Sequence, residues 1–211
     1  MITQQQIIDW MQKSADVLQE KKEHLTDLDS AIGDADHGAN MARGFKKVQE
    51  KLPDVADTDI GNILKTCGMA LISSVGGASG PLYGTFLMRA ANAVNAKQEL
   101  DGDDLVKLLE AGIEGVQQRG RAELGEKTML DALVPAVNAL REQNEAGEPI
   151  PVALKAAVEA AEQGVQNTIP MTARKGRASY LGERSVGHQD PGATSSHYLL
   201  SALLDVVQGQ A

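Results

Sequence analysis

The chain has 211 residues, a formal net charge of −9 and a single cysteine. This length suits one sizeable domain, or at most two small ones, with a core that needs no disulfides, and we expect residues 1–211 to form a single domain. The acidic balance argues against nucleic acid or an anionic membrane as the main partner. The N-terminus lacks the basic and apolar run of a signal peptide, and no apolar run could span a bilayer, so we expect a cytoplasmic protein.

Apolar residues recur at spacings of three and four along most of the chain, which predicts helices. The first helix follows Thr3, a favourable N-cap, and runs on towards Leu28, while the second ends at Pro53. Six more helices are predicted at about 59–72, 81–94, 103–119, 129–142, 152–165 and 193–207. Because no stretch alternates with the period of two typical of a strand, we predict an all-α protein of eight helices.

Four of the seven connections between these helices have unusual compositions: residues 29–40, 73–80, 120–128 and 172–191. The other three, around Asp54, Lys97 and Gly147, are plain polar turns. Short connections make neighbouring helices antiparallel, so alternate connections of an up-and-down bundle lie at the same end. The unusual connections are the first, third, fifth and seventh, and we therefore predict that they meet in one composite site.

Three carboxylates lie close together in the first connection, at Asp29, Asp34 and Asp36. They repel one another, and a hard divalent cation with oxygen ligands offsets that repulsion. The segment does not match a calcium EF-hand loop, whereas a few carboxylates completed by waters and phosphate oxygens suit Mg²⁺. Gly33 is expected to permit a tight turn within the segment. An acidic helix-capping loop is the alternative interpretation.

The third connection is rich in glycine. Its sequence GGASG, at residues 76–80, runs into Pro81, which suits the first position of a helix. Small residues ahead of a helix N-terminus leave backbone N–H groups exposed, which predicts an anion cradle. It is not a Walker P-loop, because no Lys-Ser/Thr follows the last glycine. A flexible connection between two helices is the alternative.

The fifth and seventh connections supply other groups. Thr128 is either an N-cap or a ligand, and Met129 is either a core residue or a contact for a flat base. The seventh connection carries four cations, Arg174, Lys175, Arg177 and Arg184. Connections this long are uncommon unless functional, and a cation here can neutralise a transferring phosphoryl group; a solvated surface loop is the alternative. Together, metal site, anion cradle and cationic loop are what phosphoryl transfer needs.

Four sequence motifs resemble those of the nucleotide-binding L-subunit (DhaL) family of dihydroxyacetone kinases. They are GDADHGANM from Gly33, GGASGPLYGT from Gly76, ARKGRASYLGER from Ala173 and HQDPGAT from His188. The similarity runs essentially end to end, with the motifs in the family's order. It implies an all-α fold, an eight-helix antiparallel up-and-down barrel with the nucleotide site at one end.

The resemblance also implies the site residues and cofactors. Two Mg²⁺ ions would be held by Asp29, Asp34 and Asp36, and Arg177 would be catalytic. A tightly bound ADP or ATP would be contacted by His37, Gly38, Ala39, Asn40, Ala78, Ser79, Gly120, Thr128, Met129, Arg177, Asp190, Pro191 and Gly192.

Partners are implied in the same way. In the family a separate K subunit carries dihydroxyacetone, and the M subunit, a phosphotransferase-system protein, phosphorylates the bound Mg²⁺–ADP from phosphoenolpyruvate. The phosphoryl group then passes to dihydroxyacetone, and a transcription regulator is a further partner that the family allows. An ATP-exchanging L subunit of a related ketose kinase and a Mg²⁺-dependent all-α hydrolase stay open as alternatives.

Overall fold

Helices dominate residues 1–209, the part of the chain that the computed structural model describes. The nine α-helices of this part are α1 (Gln4–Glu20), α2 (Lys22–Ile32), α3 (His37–Lys51), α4 (Ile60–Ser74), α5 (Ser79–Ala93), α6 (Gly102–Gly120), α7 (Leu130–Glu145), α8 (Ile150–Asn167) and α9 (Pro191–Val207). Short 3₁₀ segments span Leu52–Val55 and Arg177–Ser185, and two-residue strands, β1 (Ile2–Thr3) and β2 (Glu99–Leu100), pair antiparallel. The all-α prediction is confirmed, and the minimal strand pair was not predicted.

The predicted first helix is divided in two. Thr3 caps α1 as expected, since its hydroxyl accepts the Gln6 N–H at 3.2 Å and Gln6 Oε1 accepts the Thr3 N–H at 2.9 Å. At Lys21 the backbone leaves helical geometry, with φ −86° and ψ 7°, and α2 starts at the next residue. The prediction of eight helices is therefore wrong by one, because it counts α1 and α2 as a single element.

The helices pack as a closed cycle of neighbours. Each helix from α3 to α9 contacts the next, and α1 contacts both α3 and α9, while α2 lies against α3 and α9. Trp10 of α1 links the first helix to the last. It is buried, and its indole N–H donates to the Leu199 carbonyl of α9 at 2.8 Å. One apolar core runs through the cycle and has buried members on every α-helix, although α2 contributes Leu25 alone.

Glycines allow two neighbouring helices, α4 and α5, to approach closely. A Cβ on Gly68 of α4 would lie 2.9 Å from the Gly84 carbonyl oxygen of α5, and a Cβ on Gly84 would lie 2.8 Å from the Gly68 carbonyl oxygen. The α4–α5 pair therefore needs both residues to lack a side chain. Along residues 1–209 we find no helix long and apolar enough to cross a membrane.

Candidate phosphoryl-transfer site

One cavity of about 420 Å³ is lined by all four of the unusual connections. Its walls come from the end of α2 and start of α3, the start of α5, the end of α6 and start of α7, and the start of α9, together with residues 175–178. The polar turns around Asp54, Lys97 and Gly147 contribute nothing to this lining. The four connections thus meet at one place, as the count of alternate connections predicts.

The acidic cluster lies at one edge of the cavity. Carboxylate oxygens of Asp29, Asp34 and Asp36 all lie within 4.8 Å of one another. Asp29 is buried, and its Oδ2 accepts the backbone N–H groups of Asp36 at 2.9 Å and His37 at 3.1 Å. This all-oxygen donor set fits a hard cation such as Mg²⁺.

The capping interpretation of the acidic segment holds for Asp29 only. Asp36 occupies the N-cap position of α3, but its side chain makes no capping hydrogen bond. Asp29 reaches across from α2 instead and accepts the N–H groups of Asp36 and of His37, the first residue of α3. The carboxylates of Asp34 and Asp36 have no capping role, which leaves them available as oxygen ligands for a cation.

Gly33 ends α2 at a bend, as expected, and it is also needed for space. Its backbone, with φ −136° and ψ −136°, is not helical and lies outside the left-handed region. A Cβ at this position would lie 2.0 Å from Asp29 Oδ1, so any side chain would displace the buried carboxylate. The left-handed residue of the segment is Ala35, with φ 60°. Gly33 thus makes room for Asp29 in the cluster.

A buried hydrogen-bond network links the acidic segment to the glycine-rich connection. His37 Nδ1 lies 3.0 Å from Ser79 Oγ, and His37 Nε2 lies 2.8 Å from Ser195 Oγ on α9. The Tyr83 hydroxyl extends the network, at 2.7 Å from Ser195 Oγ and 2.8 Å from Ser196 Oγ. Three connections are thereby fixed relative to one another.

Burial decides the charge state within this network. It lowers the pKa of His37, and the neighbouring carboxylates of Asp29 and Asp36 only partly oppose that shift. Burial also raises the pKa of Tyr83 to about 12. Both groups are therefore neutral at neutral pH and act as hydrogen-bonding groups beside the acidic cluster.

The glycine-rich connection enters its helix two residues earlier than predicted. Helix α5 begins at Ser79, so Pro81 occupies the third helical position, where a backbone N–H has no intrahelical partner. Gly80 packs against the end of α4 and the residue after it, since a Cβ there would lie 3.1 Å from the Leu71 carbonyl oxygen and 2.5 Å from that of Val75. Ala78 and Ser79 line the cavity at the α5 N-terminus, and the first backbone N–H groups of a helix are available to bind an anion.

Three residues of the predicted nucleotide set do not line the cavity: Gly38, Ala39 and Asn40. Gly38 packs on α2, where a Cβ would lie 2.0 Å from the Lys22 carbonyl oxygen. Asn40 is buried behind the glycine-rich connection, and its Oδ1 accepts from Arg43 Nη2 at 2.6 Å. The remaining predicted metal and nucleotide residues all contribute to the lining.

The fifth connection ends at the start of α7. Met129 takes the N-cap position predicted for Thr128, although the Thr128 hydroxyl still accepts the Leu130 N–H at 3.2 Å. Asp131 satisfies two N–H groups of the connection, those of Gly125 at 2.6 Å and Thr128 at 2.7 Å. Thr128 and Met129 are thereby held against the cavity.

Arg177 brings the cationic connection to the acidic cluster. Its Nε lies 2.8 Å from Asp34 Oδ2, and its side chain is otherwise largely exposed. Ala173 and Ala178 dock this connection on Ile32, beside the acidic segment, in a small apolar cluster of their own. A guanidinium and a candidate metal-binding carboxylate therefore share one edge of the cavity.

Lys127 is a functional candidate that no sequence pattern identifies. It is only 1% exposed, and the three N–H donors of its ammonium group are shared among the backbone carbonyls of Thr168, Met171, Ser185 and His188. Burial lowers its pKa, and the Asp190 carboxyl partly opposes the shift. The signal is missing from the sequence because the acceptors are main-chain groups that every residue has.

Asp190 closes the cavity at the start of α9, where its Oδ2 accepts the Ala193 N–H at 2.7 Å. Burial raises the pKa of Asp190 to about 7. The folded protein thus keeps a proton that the unfolded chain loses near pH 4, so this group's contribution to stability falls as pH rises from about 4 to 7.

Asp190→Asn is expected to remove this pH dependence, because the amide does not ionise and still accepts a capping hydrogen bond. Relative to the wild type, the variant should gain unfolding free energy as pH rises between the two pKa values, from about 4 to about 7. Urea titrations at a series of pH values, without nucleotide or metal, measure this. If the unfolding free energies of the two proteins changed in parallel with pH, the raised pKa assigned to Asp190 would be contradicted.

Comparison with known proteins agrees with this architecture. The DAK2 domain family matches residues 31–205, and the chain belongs to that family. The ADP-binding subunit DhaL of PEP-dependent dihydroxyacetone kinase from Escherichia coli K12 is 55% identical over 202 residues, 96% of each chain. The ADP-binding subunit DhaL of the PTS-dependent dihydroxyacetone kinase from Lactococcus lactis IL1403 is 42% identical over 208 residues, 98% of this chain and 100% of that one.

A solved structure extends the comparison to three dimensions. The dihydroxyacetone kinase of C. freundii in complex with AMP-PNP and Mg²⁺ superposes with a TM-score of 0.73 at 25% identity. The match covers 94% of this chain and 33% of that chain, so this protein spans about a third of the length of the solved kinase. The helical fold is therefore shared with one region of a larger kinase.

Proposed function

We propose that this protein is the ADP-binding subunit of a phosphoenolpyruvate-dependent dihydroxyacetone kinase. The observation that carries the proposal is the single cavity in which an acidic cluster, an anion cradle and a guanidinium meet. The similarity to subunits of that name, over nearly the full length of both chains, supports it. Residues 1–211 would act as one nucleotide-binding domain, working in the cytoplasm.

Each wall of the cavity has a role in this proposal. Asp29, Asp34 and Asp36 would hold two Mg²⁺ ions, which would supply neutralisation of phosphate charge. The α5 N-terminus at Ala78 and Ser79 would bind the phosphates through backbone N–H groups.

The adenosine end would lie across the cavity. Gly120, Thr128 and Met129 form one side, and the start of α9 at residues 190–192 forms another. Met129 is buried and apolar, which suits contact with a flat base. His37 would support the phosphate end through Ser79, to which it is hydrogen-bonded.

Arg177 is the proposed catalytic residue. Its guanidinium already lies at the edge shared with Asp34, and its side chain has freedom to move because most of it is exposed. Placed over the phosphates, it would neutralise the charge that develops on the transferring group. Bound ADP would act as the phosphoryl carrier between an M subunit and dihydroxyacetone on a K subunit, and a transcription regulator is a further proposed partner.

Retention of nucleotide tests the proposal. Protein purified without added nucleotide and gel-filtered with Mg²⁺ should carry ADP, detected by mass spectrometry of the denatured sample. With K and M subunits it should phosphorylate dihydroxyacetone from phosphoenolpyruvate, and free ATP should not replace the M subunit. Nucleotide-free protein that takes up no ADP would overturn the proposal, and fast turnover on free ATP alone would identify an ATP-exchanging subunit instead.

A further inference from the structure

Lys127 ties together the two ends of the cationic connection. Two of its carbonyl acceptors precede the segment that carries Arg177: Thr168 at 2.8 Å and Met171 at 3.1 Å. The other two follow it: Ser185 at 2.8 Å and His188 at 2.5 Å. One ammonium group therefore bonds to both ends of residues 172–184, beside the hydrogen bonds from the Ala173 N–H to Ser185 Oγ and from the Gly187 N–H to the Ile169 carbonyl.

Closing a loop with a buried ammonium group carries a large desolvation cost. The charge must be moved out of water, and only well-placed acceptors offset that loss. An apolar side chain would fill the space without this penalty, but it could not organise four main-chain carbonyls. The arrangement therefore specifies where the base of the loop lies, beyond merely filling the core.

The backbone around Lys127 joins the loop to the cavity wall. Lys127 has φ 63°, a left-handed conformation that is strained for a residue with a side chain, and Thr128 and Met129 of the lining follow directly. One residue earlier, the Glu126 carbonyl accepts the Arg174 N–H at 3.1 Å. The fifth and seventh connections are thus joined through residues 126 and 127.

We propose that Lys127 is a positioning residue for phosphoryl transfer, holding the loop so that Arg177 faces the acidic cluster. This inference rests on the proposed function, because it assigns Arg177 the task of neutralising the transferring group. Lys127 contributes to the cavity lining, but its ammonium group is directed at four backbone carbonyls, so we assign it an effect through Arg177.

The proposal predicts that loss of Lys127 lowers the rate of phosphoryl transfer much more than it lowers the affinity for ADP. Lys127→Met should lower the phosphoryl-transfer rate about 10- to 100-fold, since misplacing a catalytic group by about 1 Å has effects of that size. Affinity for ADP with Mg²⁺ should change less than about threefold, because the acidic cluster and the α5 N-terminus lie outside the loop. Transfer is measured with the full set of subunits, and affinity by calorimetry on the full chain.

The decisive measurement is the rate of phosphoryl transfer by a variant that carries both substitutions, Lys127→Met and Arg177→Ala. If Lys127 acts through Arg177, then Lys127→Met in an Arg177→Ala background should lower transfer no more than about twofold further. Multiplicative losses in the double variant would overturn the proposal. Equal losses of transfer and ADP affinity in the single variant would also overturn it.

Lys97→Met is the matched control for removal of a lysine interaction. The Lys97 ammonium pairs with Asp104 at 2.6 Å, away from the cavity, so its removal disturbs folding without touching the loop. Phosphoryl transfer by this variant should match that of the wild type at temperatures below the melting temperature of the variant.

If Lys127→Met does not fold, Lys127→Gln should show the same non-additivity with Arg177→Ala. This variant keeps two N–H donors without the charge. Failure of both variants to fold would assign Lys127 to stability alone and overturn the proposal.

Hydrogen exchange separates this inference from the proposed function. Whatever reaction the protein performs, Lys127→Met should raise the amide exchange rates of residues 169–190. The rise should be at least about ten times larger than any rise in the rest of the chain. Wild-type protein that neither retains ADP nor transfers phosphoryl groups would sink the proposed function while leaving this readout intact. Unchanged exchange in that segment would sink the role of Lys127.

Discussion

Asp36→Asn is expected to abolish retention of ADP through gel filtration, with affinity in the presence of Mg²⁺ falling about 100-fold or more. The amide removes one of three clustered carboxylates, and with it the charge that would hold a cation between protein and phosphates. Calorimetric titration of ADP with and without Mg²⁺ measures the loss. In the wild type the metal dependence should be large, and in the variant it should nearly disappear.

Folding should survive this change. The Asp36 side chain caps nothing, and the backbone N–H that bonds to Asp29 is retained in the variant. Asp27→Asn is the matched control, because Asp27 is an exposed carboxylate of the same segment of chain outside the cluster. Asp34→Asn is a less clean test, since it also breaks the ion pair with Arg177. Wild-type retention of ADP by Asp36→Asn would rule out the metal assignment.

Arg177→Ala should slow phosphoryl transfer about 10³-fold, the scale on which a charge-neutralising arginine acts in such reactions. Affinity for ADP should fall less than about fivefold, because the interaction that the substitution removes from the ground state is an exposed ion pair. The rate is measured in the complete system with phosphoenolpyruvate, and the affinity separately on this subunit. The ratio of the two effects distinguishes a catalytic role from simple binding.

Arg184→Ala provides the comparison within the same connection. Arg184 is an exposed cation that does not line the cavity, so its loss lowers the charge of the loop without emptying the site. We expect transfer close to the wild-type rate. If Arg177→Ala reduced rate and affinity equally, Arg177 would be a nucleotide-binding residue with no special role in transfer.

Local patterns are enough to predict the helices and the composite site. Apolar spacing is a property of neighbouring residues, so it locates the helices within a few residues. Counting connections then places the four unusual loops at one end, and the cavity lining agrees. The break at Lys21 escapes prediction because the apolar pattern continues across it without a proline or glycine.

Long-range contacts account for what the sequence does not reveal. Lys127 bonds to carbonyls 41 to 61 residues away, and no side-chain pattern marks those acceptors. Asp29 bonds to the start of α3, whereas the side chain in the capping position, that of Asp36, does not. The sequence suggests that Gly33 provides a turn, but the space that it leaves for Asp29 becomes apparent only in the folded chain.

The closed cycle of helices restricts how the length of this chain can vary. Helix α5 has 15 residues, so its two ends are about 22 Å apart. Inserting or deleting one complete helix would send every later connection to the opposite end, and the cationic loop would part from the acidic cluster. Changes in length that preserve the reaction are therefore confined to loops, to single-residue breaks such as that at Lys21, or to helices gained and lost in pairs.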